Sequence, residues 1–210
     1  MKKKKKGLTI LIVLVIILAI VFGGYALYKF MKPSKKEVPA QVFEITNQID
    51  SYGYTLEDRD TELFKTNFEE LKELLNEEEY DKEKYVELIS KLFVIDLYTI
   101  KNKISRYDVG GLEYVYEGAR ESLKSVAEES IYKTVENNVD KSRTQKLPEV
   151  SSIEVSSVEP YTFKMPDETS SEGYRIKLSW EYVESLGYDT SGTIVVIPDG
   201  ELKYGVVYFN

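Results

Sequence analysis

The most continuous apolar stretch of the chain covers residues 7–28, which contain no charged side chain and follow a run of five lysines. A helix of these 22 residues would be roughly 33 Å long, enough to cross the roughly 30 Å hydrocarbon core of a bilayer. We therefore expect a basic tail over residues 1–6 and a transmembrane anchor over residues 7–30. Residues 31–40, with two prolines, are expected to form a short stalk without regular structure.

The anchor is expected to stay on the protein and to hold it in one orientation. Its apolar stretch is longer than that of a secretory signal peptide, which has about 7 to 15 apolar residues. Lysines flank it on both sides, and the denser N-terminal group is expected to remain in the cytoplasm. The sequence thus predicts a single-pass cell-membrane protein in which residues 41–210 form one extracytoplasmic domain.

Beyond the stalk, the spacing of apolar residues predicts helices first. Residues 41–54 have a mild helical periodicity, so a short helix is expected there. The next segment begins at Asp60, a plausible N-cap, and continues as an amphipathic helix. Residues 81–103, capped by Asp81, are the most apolar part of the domain and are expected to form its central helix. A further helix is predicted over residues 119–137.

After Pro148 the apolar period changes from helical to two, the spacing of strands with one buried face. The clearest alternation runs from Tyr174 to Tyr182. Asp199 and Gly200, which lie between two β-rich runs, are typical of a hairpin turn. We expect about four antiparallel strands, with polar loops at residues 167–173 and 187–192. Helices followed by such a meander predict an α+β domain with one sheet face packed on the helices.

One carboxylate interrupts the apolar face of the central helix. Asp96 falls on the same side as Leu92 and Ile100, and burying it unpaired would cost several kcal/mol. Two interpretations are open. Asp96 either pairs with a loop amide or with Arg106 or Arg120, or it is a functional acid in a pocket.

Charge is divided unevenly along the chain. Residues 1–36 carry nine lysines and no acidic residue, whereas residues 37–210 carry 19 basic and 36 acidic side chains, a net charge of −17. This acidity disfavours binding to nucleic acid, whose phosphates require basic contacts, and disfavours a domain that lies flat on anionic lipid. A protein partner, and a basic one in particular, or a cation-rich exterior suits the domain better.

The chain contains no cysteine and no histidine. This excludes cysteine nucleophiles, Ser-His-Asp triads, thiolate or imidazole zinc sites, histidine-ligated haem and disulfide bonds. The glycine-containing turn at residues 105–111 lacks the lysine of a phosphate-binding P-loop. No cofactor and no metal is expected, and the chain is not expected to be an enzyme.

A basic tail, one membrane helix, about three helices and then about four antiparallel strands resemble the membrane-anchored members of the nuclear transport factor 2-like fold. In the order of its elements the chain is most similar to the type IV secretion scaffold family. The resemblance implies a cone-shaped domain in a bacterial protein that supports a secretion or conjugation assembly through protein contacts, with homo-oligomers as a further expectation. It carries over no site residue.

In such a cone, the concave face of the sheet is the expected contact or pocket surface. The aromatic residues that the strands would contribute to it are Trp180, Tyr182, Tyr204 and Tyr208, and Asp96 is the expected polar group of the pocket. The alternative is that these aromatic rings only pack in the core.

Two other functions remain open. A cell-wall glycoside hydrolase needs only two carboxyl groups at a set separation, and Asp96 and Glu181 are the candidates for that pair. The second alternative is a small-ligand or ion-binding domain. The acidic residues of the 167–173 loop lack the regular alternation and the glycine of an EF-hand, so they give calcium binding little support.

Overall fold

The computed structural model describes residues 43–210. Within them, two antiparallel strands come first, three α-helices and several short 3-10 turns follow, and four antiparallel strands come last. The predicted α+β class, with helices before an antiparallel sheet, is confirmed. The predicted tail, anchor and stalk lie outside the described residues. Among residues 43–210, no helix has the length and the apolar content that a bilayer crossing requires.

The first two strands form a hairpin. Strand β1 (Ile45–Ile49) pairs antiparallel with β2 (Tyr54–Glu57), and Gly53 in the turn has a φ of +64°. The helix expected over residues 41–54 is therefore wrong where the structure describes it. Strand pairing buries Tyr54 and Leu56, which alternate with polar residues, in the core. The helical spacing of apolar residues does not predict this burial, because it depends on the partner strand.

Helix α1 (Glu62–Leu75) is the amphipathic helix that the sequence predicts. Its N-cap is Thr61 rather than Asp60, because the Thr61 hydroxyl accepts the Phe64 N–H at 3.3 Å. The Asp60 carboxylate instead accepts the Glu57 N–H at 2.7 Å. Asp60 therefore holds the end of β2 against the start of α1.

Helix α2 (Lys82–Tyr98) begins after the predicted N-cap, Asp81, and buries 11 of its 17 side chains. Its role as the central helix is confirmed. It ends five residues earlier than expected, and a 3-10 turn over Ile100–Asn102 continues the chain. This early end allows the chain to fold back toward the C-terminal turn of α2.

Helix α3 (Arg120–Glu129) is shorter than the predicted helix over residues 119–137. The chain leaves the helix because Tyr132 turns into the core, where its hydroxyl donates to the Leu97 carbonyl at 2.8 Å and accepts the Gly110 N–H at 3.1 Å. Only Ala127 of α3 is buried. Helix α3 is thus attached lightly to the rest of the domain.

The four last strands form a meander in the order β3-β4-β5-β6. Strand β3 continues through Pro160, and β4 begins inside the loop expected at residues 167–173. Proline is tolerated there because β3 lies at the edge of the sheet. The strands are β3 (Val150–Lys164), β4 (Ser170–Tyr182), β5 (Ser191–Asp199) and β6 (Lys203–Phe209).

One face of this sheet, called the inner face, packs on helix α2. Ile176, Ile194 and Phe209 are cross-strand partners and therefore share that face. Trp180 lies on it too, and its ring centroid is 5.0 Å from that of Tyr98 on α2. The opposite face, called the outer face, is built from the alternate residues of the same strands.

Candidate functional site

The four aromatic residues expected on one contact surface do not share one. Trp180 and Tyr182 lie together on the inner face, where the indole Nε1 donates to the Tyr182 hydroxyl at 2.8 Å and that hydroxyl donates to the Asp189 carbonyl at 2.7 Å. Tyr208 pairs with Val195 of β5 and lies on the outer face, 45% exposed. Trp180 and Tyr182 therefore serve the core and the following loop, and Tyr208 is the solvent-facing member.

Tyr204 belongs to an aromatic cluster at the other end of the inner face. Its ring centroid is 5.9 Å from that of Tyr85 on α2 and 6.0 Å from that of Tyr174. The Tyr85 hydroxyl in turn lies 2.8 Å from the Tyr54 hydroxyl. This cluster joins the hairpin, α2 and the sheet, and its packing is that of a core.

Asp96 is paired, but only in part as expected. A loop amide does bind it, because the Gly111 N–H donates to its Oδ2 at 2.5 Å. Its ionic partner is Lys103, whose side chain is 1% exposed, rather than Arg106 or Arg120. Burial by itself raises the pKa of Asp96, but the Lys103 ammonium and the Gly111 amide hold that pKa below its ordinary value.

The two arginines have other partners. Arg106 donates to the Glu129 carboxylate at 2.6 Å, and Arg120 donates weakly to the Val115 carbonyl at 3.5 Å. On a continuous helix, residues seven apart are separated by about 10 Å along the axis. Lys103 reaches Asp96 only because α2 ends at Tyr98 and the chain folds back, so the pairing cannot be inferred from a helix predicted to run to residue 103.

Asp96 lines a small polar cavity of about 170 Å³ that also contains Asp60 and Glu113. Burial raises the pKa of Asp60 to about 6 and that of Glu113 to about 7. The Thr55 N–H and hydroxyl donate to the Glu113 carboxylate at 3.2 and 2.9 Å. These groups join the hairpin, α2 and the 105–114 segment, and sequence spacing gives no sign that they meet.

Asp96 and Glu181, the carboxyl pair considered for hydrolysis, line different cavities. Glu181 lies on the outer face, where it accepts a hydrogen bond from Ser152 at 3.3 Å and borders an open depression with Glu154. Within residues 43–210, no group of three or more acidic side chains is placed to hold a metal ion. In the 167–173 loop, Asp167 accepts from the Thr169 N–H and hydroxyl, as in an ordinary turn.

An apolar opening runs between helix α3 and strand β6 and is called the α3–β6 groove. Its volume is about 380 Å³. Tyr98 and Val206 are buried in its floor, whereas Val126 on its helical rim is 64% exposed. The other apolar side chains that line it are Leu97, Ala119, Leu123, Ala127, Ile131, Val207 and Phe209, with Tyr208 at the strand rim.

One edge of β6 opens into this groove. The Val115–Tyr116 segment covers the first half of that edge, where the Tyr116 N–H donates to the Val206 carbonyl at 2.9 Å. Further along, Asn210 and Thr193 exchange two hydrogen bonds of 2.8 and 3.2 Å across β5 and β6. Backbone groups of an antiparallel strand alternate in direction, so those of Phe209 point away from β5, toward the groove.

The sequence carried one sign of this groove. Leu123 and Val126 lie on one face of the helix predicted over residues 119–137. In the structure only part of that face is covered, because the shortened α3 meets the edge of the sheet rather than its inner face. An apolar stripe in a sequence predicts a buried face but does not say what covers it.

Comparisons with protein-family models, with curated proteins and with solved structures find no match for this chain, so its functional interpretation rests on its own sequence and geometry.

Proposed function

We propose that this chain is a single-pass membrane-anchored protein whose domain acts outside the cytoplasm as a non-catalytic interaction module. The anchor is the apolar stretch over residues 7–28, and the domain is the acidic part that follows the stalk. The type IV secretion scaffolds that the chain resembles in its order of elements suggest a secretion or conjugation assembly as its setting. The observation that carries the proposal is the open, apolar α3–β6 groove.

The occupant of the groove is an extended segment of a partner protein that pairs with the free edge of β6. A free strand edge offers unpaired N–H and C=O groups to another strand, and natural sheets usually protect such edges. The opposite edge of this sheet is protected, because β3 contains Pro160 and two irregularities in its register with β4. The second half of β6 contains no proline and its sequence is apolar, although one bulge lies there, where Val195 and Val196 of β5 pair with Tyr208 and Val206.

The negative charge of the domain indicates which class of partner segment the groove binds. Asp189 is the only charged residue that lines the α3–β6 groove among those described, and residues 37–210 carry a net charge of −17. An acidic surface attracts a basic segment and repels an acidic one. The partner segment therefore alternates apolar side chains, which contact Val126 and Leu123, with basic ones that face Asp189 and the acidic surface of the domain.

The proposal is tested by placing a charge on the helical rim of the groove. We expect Val126→Lys in the full-length chain to lower the ratio of assembled to free protein at least fivefold. This ratio is measured by native electrophoresis after mild detergent extraction. The reason is that a lysine cannot be buried unpaired in an apolar contact without a cost of several kcal/mol. Intact folding is checked from the fluorescence of Trp180, the single tryptophan, which is buried.

Val183→Lys is the matched control. Val183 is also 64% exposed but lies after β4, outside the groove. Its substitution should leave the assembly unchanged. A wild-type chain that migrates only as a monomer, or an assembly that tolerates both substitutions, would overturn the proposal. The mass of the assembly distinguishes a second copy of this chain from a different protein in the groove.

A further inference from the structure

The outer face of the sheet holds a second opening, called the outer-face pocket, with a volume of about 410 Å³. Arg175 and Lys177 supply its positive charge, and Tyr161, Phe163 and Tyr208 supply aromatic rings. Arg175 is the cross-strand partner of Val195, which is in turn the partner of Tyr208, so strand pairing fixes these groups side by side. A basic pocket is unexpected in a domain whose net charge is strongly negative.

The guanidinium of Arg175 is fixed in orientation, but its N–H groups donate no hydrogen bond within residues 43–210. Its guanidinium carbon lies 3.7 Å from the centre of the Tyr161 ring, which fixes the plane of the group. The other four arginines of residues 43–210 each donate at least one hydrogen bond to the protein, whereas Arg175 donates none there. Glu159 is directly opposite Arg175 on β3 and on the same face, yet the two side chains form no ion pair.

We propose that the outer-face pocket binds a small oxyanion, a carboxylate or a phosphate, that is carried on a ring. The guanidinium of Arg175 offers the paired N–H donors that match two oxygens of such a group, and Lys177 adds a second positive charge. Phe163 and Tyr208 offer aromatic surface to the ring that carries it. The volume of the pocket lies within the range of ordinary small-molecule sites.

The same features exclude a long polyanion. Two basic residues would neutralise very little of an extended phosphate backbone, and the surrounding surface is acidic, with Glu154 and Glu181 further along the outer face. A single anionic group carried on a ring needs no more positive charge than the pocket has. This site is separate from the α3–β6 groove and does not depend on its function, although Tyr208 borders both.

The test uses four probes on the full-length chain in detergent micelles, observed by saturation-transfer difference NMR of the probe. Phenyl phosphate and benzoate carry both an oxyanion and a ring, benzyl alcohol carries only the ring, and inorganic phosphate carries only the charge. We expect saturable binding of phenyl phosphate, of benzoate or of both, at least tenfold tighter than that of benzyl alcohol or inorganic phosphate. The comparison of the two ring-bearing probes tells whether phosphate or carboxylate is preferred.

Variants assign the binding to the pocket. Arg175→Gln should weaken it at least tenfold, and Arg175→Lys, which keeps the charge but loses the planar fork, should weaken it less. Lys133→Gln is the control for charge, because Lys133 is exposed and lies outside the pocket. Binding that is absent for both ring-bearing probes overturns the proposal. So does binding that survives Arg175→Gln in a chain whose thermal unfolding is unchanged.

Discussion

At the scale of single residues, the polar cavity beside Asp96 combines groups with opposite responses to burial. Lys103 and the Gly111 amide stabilise the charge of Asp96 and keep its pKa low. At Glu113 and Asp60 burial outweighs the hydrogen bonds that each carboxylate accepts and, at Asp60, the attraction of Lys103, so their pKa values rise to about 7 and about 6. The cavity therefore stabilises one carboxylate by an ion pair. Ionisation of the other two lowers the free energy of unfolding.

The first residue-scale prediction concerns pH. Because the folded state holds the Glu113 proton with a pKa of about 7, against an ordinary 4.5, it binds that proton more tightly than the unfolded state does. The stabilisation is complete below about pH 4.5 and is lost as the pH rises through 7, by at most about 3 kcal/mol. Urea unfolding followed by Trp180 fluorescence should show a lower unfolding free energy at pH 8 than at pH 5.5.

Glu113→Gln is the variant that isolates this effect. It keeps the shape of the side chain and one acceptor for Thr55 but cannot ionise, so the difference between pH 5.5 and pH 8 should shrink. Asp60, with its pKa raised to about 6, accounts for what remains. An equal pH dependence in the variant would show that Glu113 does not ionise within the cavity.

The second residue-scale prediction concerns the ion pair. Lys103→Met removes the cation and leaves the Asp96 carboxylate in place, so we expect the unfolding free energy to fall by about 3 kcal/mol. Lys101→Met is the matched control, because Lys101 forms an ion pair with Glu149 but is 62% exposed. It should cost less than about 1 kcal/mol. Equal losses in the two variants would contradict the role given to Lys103.

At the scale of elements, the spacing of apolar residues predicts those helices and strands that do not depend on contacts with residues distant in the sequence. Helices α1 and α2 follow directly from the spacing of residues such as Phe64, Phe68 and Leu92, and β4 follows from the alternation of Tyr174 to Tyr182. The spacing of apolar residues does not predict the β1–β2 hairpin. Its residues have only weak local preferences for helix and for strand, and the pairing of the two strands decides between them. The end of α3 was misplaced because Tyr132 gains hydrogen bonds to Leu97 and Gly110, which are distant in sequence.

The candidate sites were harder to predict than the elements, for a physical reason. Strand alternation predicts correctly that Trp180 and Tyr182 share a face. It cannot place Tyr208 against Trp180, because a bulge between Val195 and Val196 and the register of β6 decide that relation. Likewise, the pairing of Arg175 with Tyr161 depends on the register of β3 with β4, and the α3–β6 groove depends on where a helix stops.

At the scale of the whole molecule, the prediction that most affects the proposed function is the side of the membrane on which the domain lies. Protease added to intact cells should remove the domain and leave a short membrane-bound fragment, because the denser lysine group of residues 1–6 is expected to stay in the cytoplasm. An epitope at each end of the chain, followed by immunoblotting, measures this. Protection in intact cells with digestion after lysis would reverse the orientation.

The central claim is that the α3–β6 groove receives an extended segment of a partner, and site-specific photocrosslinking tests it most directly. A photoreactive residue is placed at position 126 on α3, at position 207 on β6 or at the control position 183, in the full-length chain in its own membranes. Mass spectrometry then identifies the crosslinked peptides. We predict that positions 126 and 207 both crosslink to the same segment of one protein and that position 183 does not. No crosslink from positions 126 and 207, or equal crosslinking from all three, would contradict the claim.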